Sequence, residues 1–298
     1  GVIPSSVRIV AHAKLNLFLR VLARESSGFH QIETAFALLE LADDIIVTRT
    51  DAGVTLTVDG PDLGPVDQNL AVRAARTLLA ATGEQFGVAI QLTKRIPVRA
   101  GLGGGSSDAA AVLHAVNALA HNAVPPHEVL HLAARLGADV AFFAGGAPAA
   151  LAWGRGERQY RLAPLPAAPA LIAVPRIGVA TPDAYRWWDA MHPDPAPRGP
   201  VLLDAAAFAG WGSVGRLGGN DFELPVFGKH PELRALFERL AATRPLWVRL
   251  CGSGSAVATV YRNARDRDEA LAMVDRKTVT PITTMTRAVA AEGPLPRD

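Results

Sequence analysis

The run Pro97-Val98-Arg99-Ala100-Gly101-Leu102-Gly103-Gly104-Gly105-Ser106-Ser107, followed at once by Asp108-Ala109-Ala110, holds the densest chemical information in this chain. Four glycines within five residues remove side chains and permit positive φ, so successive backbone N–H groups can point into one concavity. The apolar spacing of Ser106–Leu119 predicts a helix whose free N–H groups and positive dipole end face the same concavity. Such a site suits a di- or triphosphate, and Ser106 and Ser107 add hydroxyls for phosphate oxygens or a Mg2+ ion. The run is not a Walker A sequence, because no Gly-Lys-[Ser/Thr] ends it, and Ser106 stands where G-x-G-x-x-G requires its third glycine.

Lys14 and Asn16 sit two apart in the otherwise apolar stretch Ala11-His12-Ala13-Lys14-Leu15-Asn16-Leu17-Phe18-Leu19. On a strand they share a face, so an ammonium and an amide project together. Taken alone, this equally describes an edge-strand lysine reaching water; taken as chemistry, it is fixed cationic charge of the kind phosphoryl transfer needs. Asp139, after Gly137 and before Val140-Ala141-Phe142-Phe143, is by itself a turn or cap residue. Its chemical alternative is a carboxylate held ionised near Lys14, able to accept or orient a hydroxyl proton. His127-Glu128-Val129-Leu130-His131 fits H-E-x-x-H on a predicted helix, the zinc metalloprotease pattern. The plainer reading is the exposed first turn of a helix after Pro125-Pro126, and no acidic residue or His between Asp139 and Glu157 offers a third ligand.

Alternating or apolar runs predict strands at Val7–Ala11, Leu15–Leu22, Gln31–Leu39, Asp44–Thr50, Val54–Val58, Val88–Lys94, Leu171–Val174, Leu246–Leu250, Ala256–Tyr261 and Val279–Thr286. Helical spacing covers Asn69–Ala81, Pro125–Leu136, Thr181–Ala190 with Thr181 as N-cap, Pro231–Ala242 and Ala264–Val274. Ala23–His30 is a polar connection and Met191–Pro200 a proline-rich loop. The proline-rich Leu162–Pro169 marks a domain boundary, giving a mixed α/β chain with halves 1–163 and 164–298.

With 49% apolar and 19% charged residues among 298, the chain is no disordered segment, and a net charge of +2 argues against a broad nucleic-acid-binding face. One cysteine, Cys251, excludes an intrachain disulfide and Cys-based zinc sites, and fits a reducing, cytoplasmic setting. No signal peptide is visible, and the apolar stretches end well short of the ~18 residues a membrane span needs. Only four of the 30 basic side chains are lysines (Lys14, Lys94, Lys229, Lys277), a bias that fits genome composition. Lys94, Lys229 and Lys277 read as ordinary surface residues.

In order, the Lys14 strand, the Pro97–Ser107 loop and Leu250-Cys251-Gly252-Ser253-Gly254-Ser255-Ala256 resemble the three motifs of the GHMP kinase superfamily. Ala13-Lys14-Leu15-Asn16-Leu17, Gly28-Phe29-His30, Leu136-Gly137-Ala138-Asp139-Val140, Gly154-Arg155-Gly156-Glu157 and Asn220-Asp221-Phe222-Glu223 are similar to its branch acting on 4-diphosphocytidyl-2-C-methyl-D-erythritol. Jointly these motifs span nearly the whole chain, from about Val7 to Thr286. The resemblance implies a ribosomal-protein-S5-domain-2-like N-terminal half, a ferredoxin-like C-terminal half and an active site between them. It implies ATP-dependent phosphorylation of the substrate's 2-hydroxyl, within the non-mevalonate isoprenoid pathway, by a cytoplasmic monomer or weak homodimer with Mg2+ carried by the nucleotide. It assigns Lys14 and Asp139 to catalysis. ATP falls to Pro97, Val98, Arg99, Ala100, Gly101, Leu102, Gly103, Gly104, Gly105, Ser106 and Ser107, with Gly252, Ser253 and Gly254 as the third loop. Asn16, Phe29, His30, Thr181 and Tyr185 would bind the substrate, whose cytosine needs an aromatic face. The family commonly has Tyr at Phe29, a small residue at Arg99 and Pro at Ala141. Sibling homoserine, mevalonate or sugar kinases are the alternatives, and none of their substrates has a base to stack. A non-catalytic protein of this fold would have no need of both Lys14 and Asp139.

Overall fold

A computed structural model describes residues 4–194, 196–199 and 204–297, so part of the Met191–Pro200 loop lies outside the described residues. In chain order the elements are β1 (Ser6–Arg24), β2 (His30–Thr50), β3 (Val54–Asp59), α1 (Leu70–Ala81), β4 (Gly87–Thr93), α2 (Gly104–Leu119), α3 (Pro126–Leu136) and α4 (Ala138–Gly145). There follow β5 (Ala149–Gly154), β6 (Arg158–Arg161), β7 (Pro169–Pro175), α5 (Thr181–Met191), α6 (Trp211–Val214), α7 (Glu223–Lys229), α8 (Pro231–Ala241), β8 (Trp247–Leu250), β9 (Val257–Val260), α9 (Ala264–Ala272), β10 (Val279–Met285) and β11 (Leu295–Arg297).

The first sheet has the order β11-β1-β2-β4-β3, with β5 on β2 and β6 on β5. Its pairs are antiparallel except β3 with β4. Because β11 pairs with β1, the last described residues of the chain lie on this first sheet. The second sheet is antiparallel with order β10-β7-β9-β8. Its β-α-β-β-α-β succession gives the ferredoxin-like half.

Helices α1 to α4 bury Leu78, Val112, Val116, Val129 and Phe142 against Val47, Ile90 and Phe36 of the first sheet. A second core joins the two sheets: Leu15, Leu17 and Phe18 pack with Ile172, Trp247 and Ala258. Each such side chain contributes roughly 1.5–3 kcal/mol on leaving water. The Trp247 indole N–H also donates to the Leu17 carbonyl at 2.9 Å, tying β8 across to β1. The third core sets Trp188 of α5, Phe222 and Leu236 of α8 against Leu171 and Val257.

The sequence predicts four separate strands before residue 51, yet two long ones form. The backbone pairing of β1 with β2 runs on through the polar interruptions, and register shifts at His12/Lys14, Asn16/Phe18 and Val21/Ala23 absorb the irregularity without ending the strand. Helix α2 begins at Gly104, two residues before the predicted start, because Gly103 at φ +72° turns the chain directly into it. Thr181 does not cap α5: Ala180 holds that position, and the Thr181 hydroxyl is engaged elsewhere.

Candidate active site

Three chain segments converge where β1, the glycine loop and the β8–β9 connection meet. The Lys14 N–H donates to the Leu102 carbonyl at 3.0 Å, and the Ala256 N–H to the Ala100 carbonyl at 3.1 Å. Gly101 sits at φ +83°, and a Cβ there would lie 1.8 Å from the Cys251 carbonyl oxygen, so only glycine allows this approach. At Gly103 a Cβ would lie 2.9 Å from the Phe143 ring and 3.0 Å from the Lys14 side chain. The close backbone packing therefore presses the glycine loop onto the lysine.

Lys14 is 4% exposed. Its Nζ donates to Asn16 Oδ1, which fixes the amide so that Asn16 Nδ2 donates to Thr34 Oγ1 at 3.0 Å; that hydroxyl donates to the Phe18 carbonyl at 2.6 Å. The same-face expectation for Lys14 and Asn16 thus holds despite the neighbouring bulges. Burial pushes the Lys14 pKa down, and the charge of Asp139 opposes that shift. Asp139 lies in the first turn of α4, after the chain breaks at Gly137 on leaving α3. Its charge reaches both Lys14 and Tyr185.

The third loop is braced from α7. Asn220 Nδ2 donates to the Leu250 and Gly252 carbonyls at 3.1 and 2.6 Å, and Glu223 accepts from the N–H groups of Asn220 and Leu250 at 3.0 and 2.9 Å. Ser253 Oγ and Thr181 Oγ1 share a hydrogen bond of 2.9 Å, which fastens the N-terminus of α5 to this loop. The buried Cys251 thiol, its pKa pushed up to about 12 by desolvation, is an inert packing residue here.

Sequence reasoning missed Lys94, Asp43 and Asp108. Lys94 is not a surface residue: its side chain is 3% exposed, and Nζ donates to Asp43 Oδ2 at 2.6 Å and Asp108 Oδ2 at 3.0 Å. Asp43 Oδ1 accepts from the N–H groups of Arg95 and Ile96 at 2.6 and 2.8 Å. Burial alone would lower the Lys94 pKa, but the two carboxylates outweigh it and hold it above the ordinary value. Burial pushes the Asp108 pKa well up against the pull of the Lys94 charge, and among the described residues its Oδ1 has no hydrogen-bond partner. This network ties β2, the entrance of the glycine loop and the first turn of α2 together. The only sequence signal is the scarcity of lysine.

Two cavities are lined by the residues that the sequence singles out. One, of about 300 Å³, is lined by every residue from Pro97 to Gly105 together with Lys94 and Asp108. Ser106 and Ser107 are not on its wall; Ser107 lines a separate 230 Å³ cavity with His12 and His114. Arg99, at φ +56°, lines the phosphate-side cavity and passes Gly178 of the second half at 3.6 Å from an added Cβ. The second cavity, about 1300 Å³, is lined by Phe29, His30, Thr181, Tyr185 and Ala138, the neighbour of Asp139. Phe29 is 55% exposed, with the Arg155 guanidinium 3.9 Å above its ring. His30 stacks on Tyr185 at 4.3 Å between ring centres, and its Nε2 lies 2.6 Å from Asp189 Oδ1. Burial, with Asp139 and Asp189 adding to it, pushes the Tyr185 hydroxyl far up, so it stays protonated. His127, Glu128 and His131 are exposed on α3, and among the described residues no three His, Cys, Asp or Glu side chains gather to hold a metal.

A glycine-lined pocket beside a buried lysine, on a two-sheet α/β frame, fits a small-molecule kinase, and comparison with known proteins agrees. Residues 69–147 match the family described as GHMP kinases N terminal domain, and residues 202–279 match GHMP kinases C terminal. A 4-diphosphocytidyl-2-C-methyl-D-erythritol kinase from Solibacter usitatus is 38% identical over 93% of this chain and 88% of its own length. The one from Moorella thermoacetica is 38% identical over 94% and 98%. A crystal structure of 4-(cytidine 5'-diphospho)-2C-methyl-D-erythritol kinase superposes with a TM-score of 0.78 at 38% identity, covering 94% of this chain and 98% of that one. Homoserine kinase from Cytophaga hutchinsonii shares the fold, with a TM-score of 0.69 at 20% identity over 99% and 98%. The chain belongs to the 4-diphosphocytidyl-2-C-methyl-D-erythritol kinase family of the GHMP kinases and is an ATP-dependent small-molecule kinase. No helix among the described residues is long and apolar enough to cross a membrane.

Proposed function

We propose that this chain transfers the γ-phosphoryl group of ATP to the 2-hydroxyl of 4-diphosphocytidyl-2-C-methyl-D-erythritol, as a cytoplasmic monomer or weak homodimer. The observation that carries this reading is the glycine-lined cavity beside Lys14, on which Gly103 packs; Ala138, the neighbour of Asp139, stands on the wall of the larger cleft. The nucleotide phosphates lie along the N–H groups of Val98–Gly105 and the N-terminus of α2. Mg2+ would be held by those phosphates and would supply positive charge to them. The substrate hydroxyl oxygen bonds to the γ-phosphorus as the bond to the β,γ-bridging oxygen breaks and ADP leaves; Asp139 orients the hydroxyl and takes its proton. Lys14, aimed by Asn16, stabilises charge on the phosphoryl group between the two oxygens. At the far end of the larger cleft Phe29 offers an exposed aromatic face to the cytosine, with Thr181 and Tyr185 on the opposing wall. Residues 1–163, with β11 returned to their sheet, form the catalytic half, and the chain from 164 through β10 forms the substrate-side half.

ADP release measured with 4-diphosphocytidyl-2-C-methyl-D-erythritol against mevalonate, homoserine and galactose tests this. Turnover of the cytidylyl substrate alone is the expected result; a preference for any of the other three overturns it.

A further inference from the structure

We propose that Asp189 is a positioning residue for the nucleoside end of the cleft: it holds the His30 imidazole as a strut, and the strut sets the turn that presents Phe29. This rests on the reading of the substrate as a cytidylyl compound.

The His30 side chain is largely taken up by protein contacts. Its Nε2 is taken by Asp189 Oδ1 at 2.6 Å, one face by Tyr185 at 4.3 Å, and its edge meets Trp188 at 6.0 Å. Only 7% of that side chain is exposed. Phe29, the preceding residue, is the opposite case, with its ring in the open. His30 therefore acts through what it holds, and Asp189 is what holds it.

Asp189 grips both ends of the turn. Residues 25–29 link β1 to β2, closed by the Glu25 N–H on the Phe29 carbonyl at 2.7 Å and the Gly28 N–H on the Glu25 carbonyl at 2.9 Å. Arg24, the last residue of β1, places Nη1 3.3 Å from Asp189 Oδ1, and His30 opens β2 on the same oxygen. Within its own half, the turn is held by the Glu25–Arg155 pair at 2.6 Å, whose arginine side chain is 46% exposed. Solvent-exposed pairs of that kind hold a geometry weakly. Asp189 belongs to α5, whose first residue is fastened to Ser253 of the third loop. One helix thus joins the base-side turn to the loop that packs on the phosphate pocket.

Cytidine 5'-diphosphate and ADP, titrated calorimetrically into wild-type, Asp189→Ala and Asp189→Asn protein, separate the two ends of the cleft. The expected result is a loss of about tenfold in cytidine 5'-diphosphate affinity for Asp189→Ala, the scale of one hydrogen bond to a charged group, with ADP affinity unchanged. Asp189→Asn keeps an oxygen acceptor for His30 and recovers most of that loss. In steady-state kinetics the alanine variant raises KM for the cytidylyl substrate but not for ATP. Unchanged cytidine 5'-diphosphate affinity in Asp189→Ala, or an equal loss for ADP, overturns the positioning role. Wild-type protein that neither binds cytidine 5'-diphosphate nor phosphorylates the cytidylyl substrate overturns the substrate reading itself. Asp189→Ser, whose side chain is too short to reach His30, serves if the alanine variant fails to fold: a tenfold loss confined to the cytidylyl side then supports the role and wild-type affinity removes it.

Discussion

At the end of the site proposed to hold phosphate, backbone packs on backbone; at the end proposed to hold the base, side chains meet in the open. Gly101 approaches the Cys251 carbonyl more closely than any side chain permits, Lys14 is bonded through its own N–H to Leu102, and a buried Lys94 clamps two carboxylates beneath the loop. Across the larger cleft, Phe29 is half in solvent under an exposed guanidinium, and Asp189 is 25% exposed. The contrast follows from what each end must hold. A triphosphate is met by N–H groups, which every residue but proline supplies and which glycine brings close, so the site is fixed by conformation. A base is told from other groups by its faces and edges, so its site must be built from side-chain identity. Changes at the first end should therefore act on catalysis and folding, and changes at the second on substrate affinity alone.

The largest effects are expected at the junction. Asp139→Asn and Lys14→Ala should each lower kcat by orders of magnitude with small changes in KM, because phosphoryl transfer rests on placed charge. Near wild-type turnover in both would remove the mechanism. The pH dependence has a definite sign. Burial lowers the Lys14 pKa, so the ammonium is lost, and activity with it, at a pH below the ordinary lysine value of 10.5. Asp139 opposes that shift, so the residual activity of Asp139→Asn should fall at a still lower pH, a displacement that a pH–rate profile measures directly.

Lys94→Met comes next and should appear in stability. It leaves Asp43 and Asp108 buried without their cation, an arrangement that costs about 3–5 kcal/mol, readable in urea unfolding. Asp108→Asn tests the same network through pH. The raised Asp108 pKa means the folded state holds a proton the unfolded chain releases from 3.8 upward, so stability is highest below that pH and falls as pH rises through the folded value. Asparagine should flatten that fall. Gly101→Ala should be smaller in scope but still global: left-handed φ alone costs ~1–2 kcal/mol for a residue with a Cβ, and the methyl would force the third loop away from the phosphate pocket. A lower Tm with a raised KM for ATP is the expected pair of readings.

How much of this could be read beforehand depended on sequence separation. The glycine loop, its helix and the Lys14–Asn16 pair are local patterns, and they formed as the residue types require, with α2 starting two residues early. Asp139 was legible as a carboxylate but not as the first turn of a new helix. The Lys94 clamp was not legible at all, since its partners lie 51 and 14 residues away and neither has a local pattern. The β5–β6 hairpin escaped because Ala149–Gly154 is alanine-rich and has no β-branched residue to signal a strand. Thr181 looked like a cap because Pro182 follows it; its hydroxyl found Ser253 instead, a partner only tertiary packing supplies.

The smallest expected effects sharpen the contrast most, because they separate one ring from one guanidinium. Phe29→Ala removes the exposed aromatic face while leaving the Asp189 strut and the phosphate pocket intact. One base–aromatic stack is worth about 1–3 kcal/mol, so KM for the cytidylyl substrate should rise roughly tenfold, with kcat and the KM for ATP held. Arg155→Ala should do less. Its guanidinium covers one face of the Phe29 ring at 3.9 Å and pairs with Glu25, yet its side chain is 46% exposed, so removing it loosens the turn without removing the stacking surface. If Arg155→Ala instead matches Phe29→Ala, the guanidinium and not the phenyl ring carries the base, and the two ends of the cleft would then both recognise their ligands through cations.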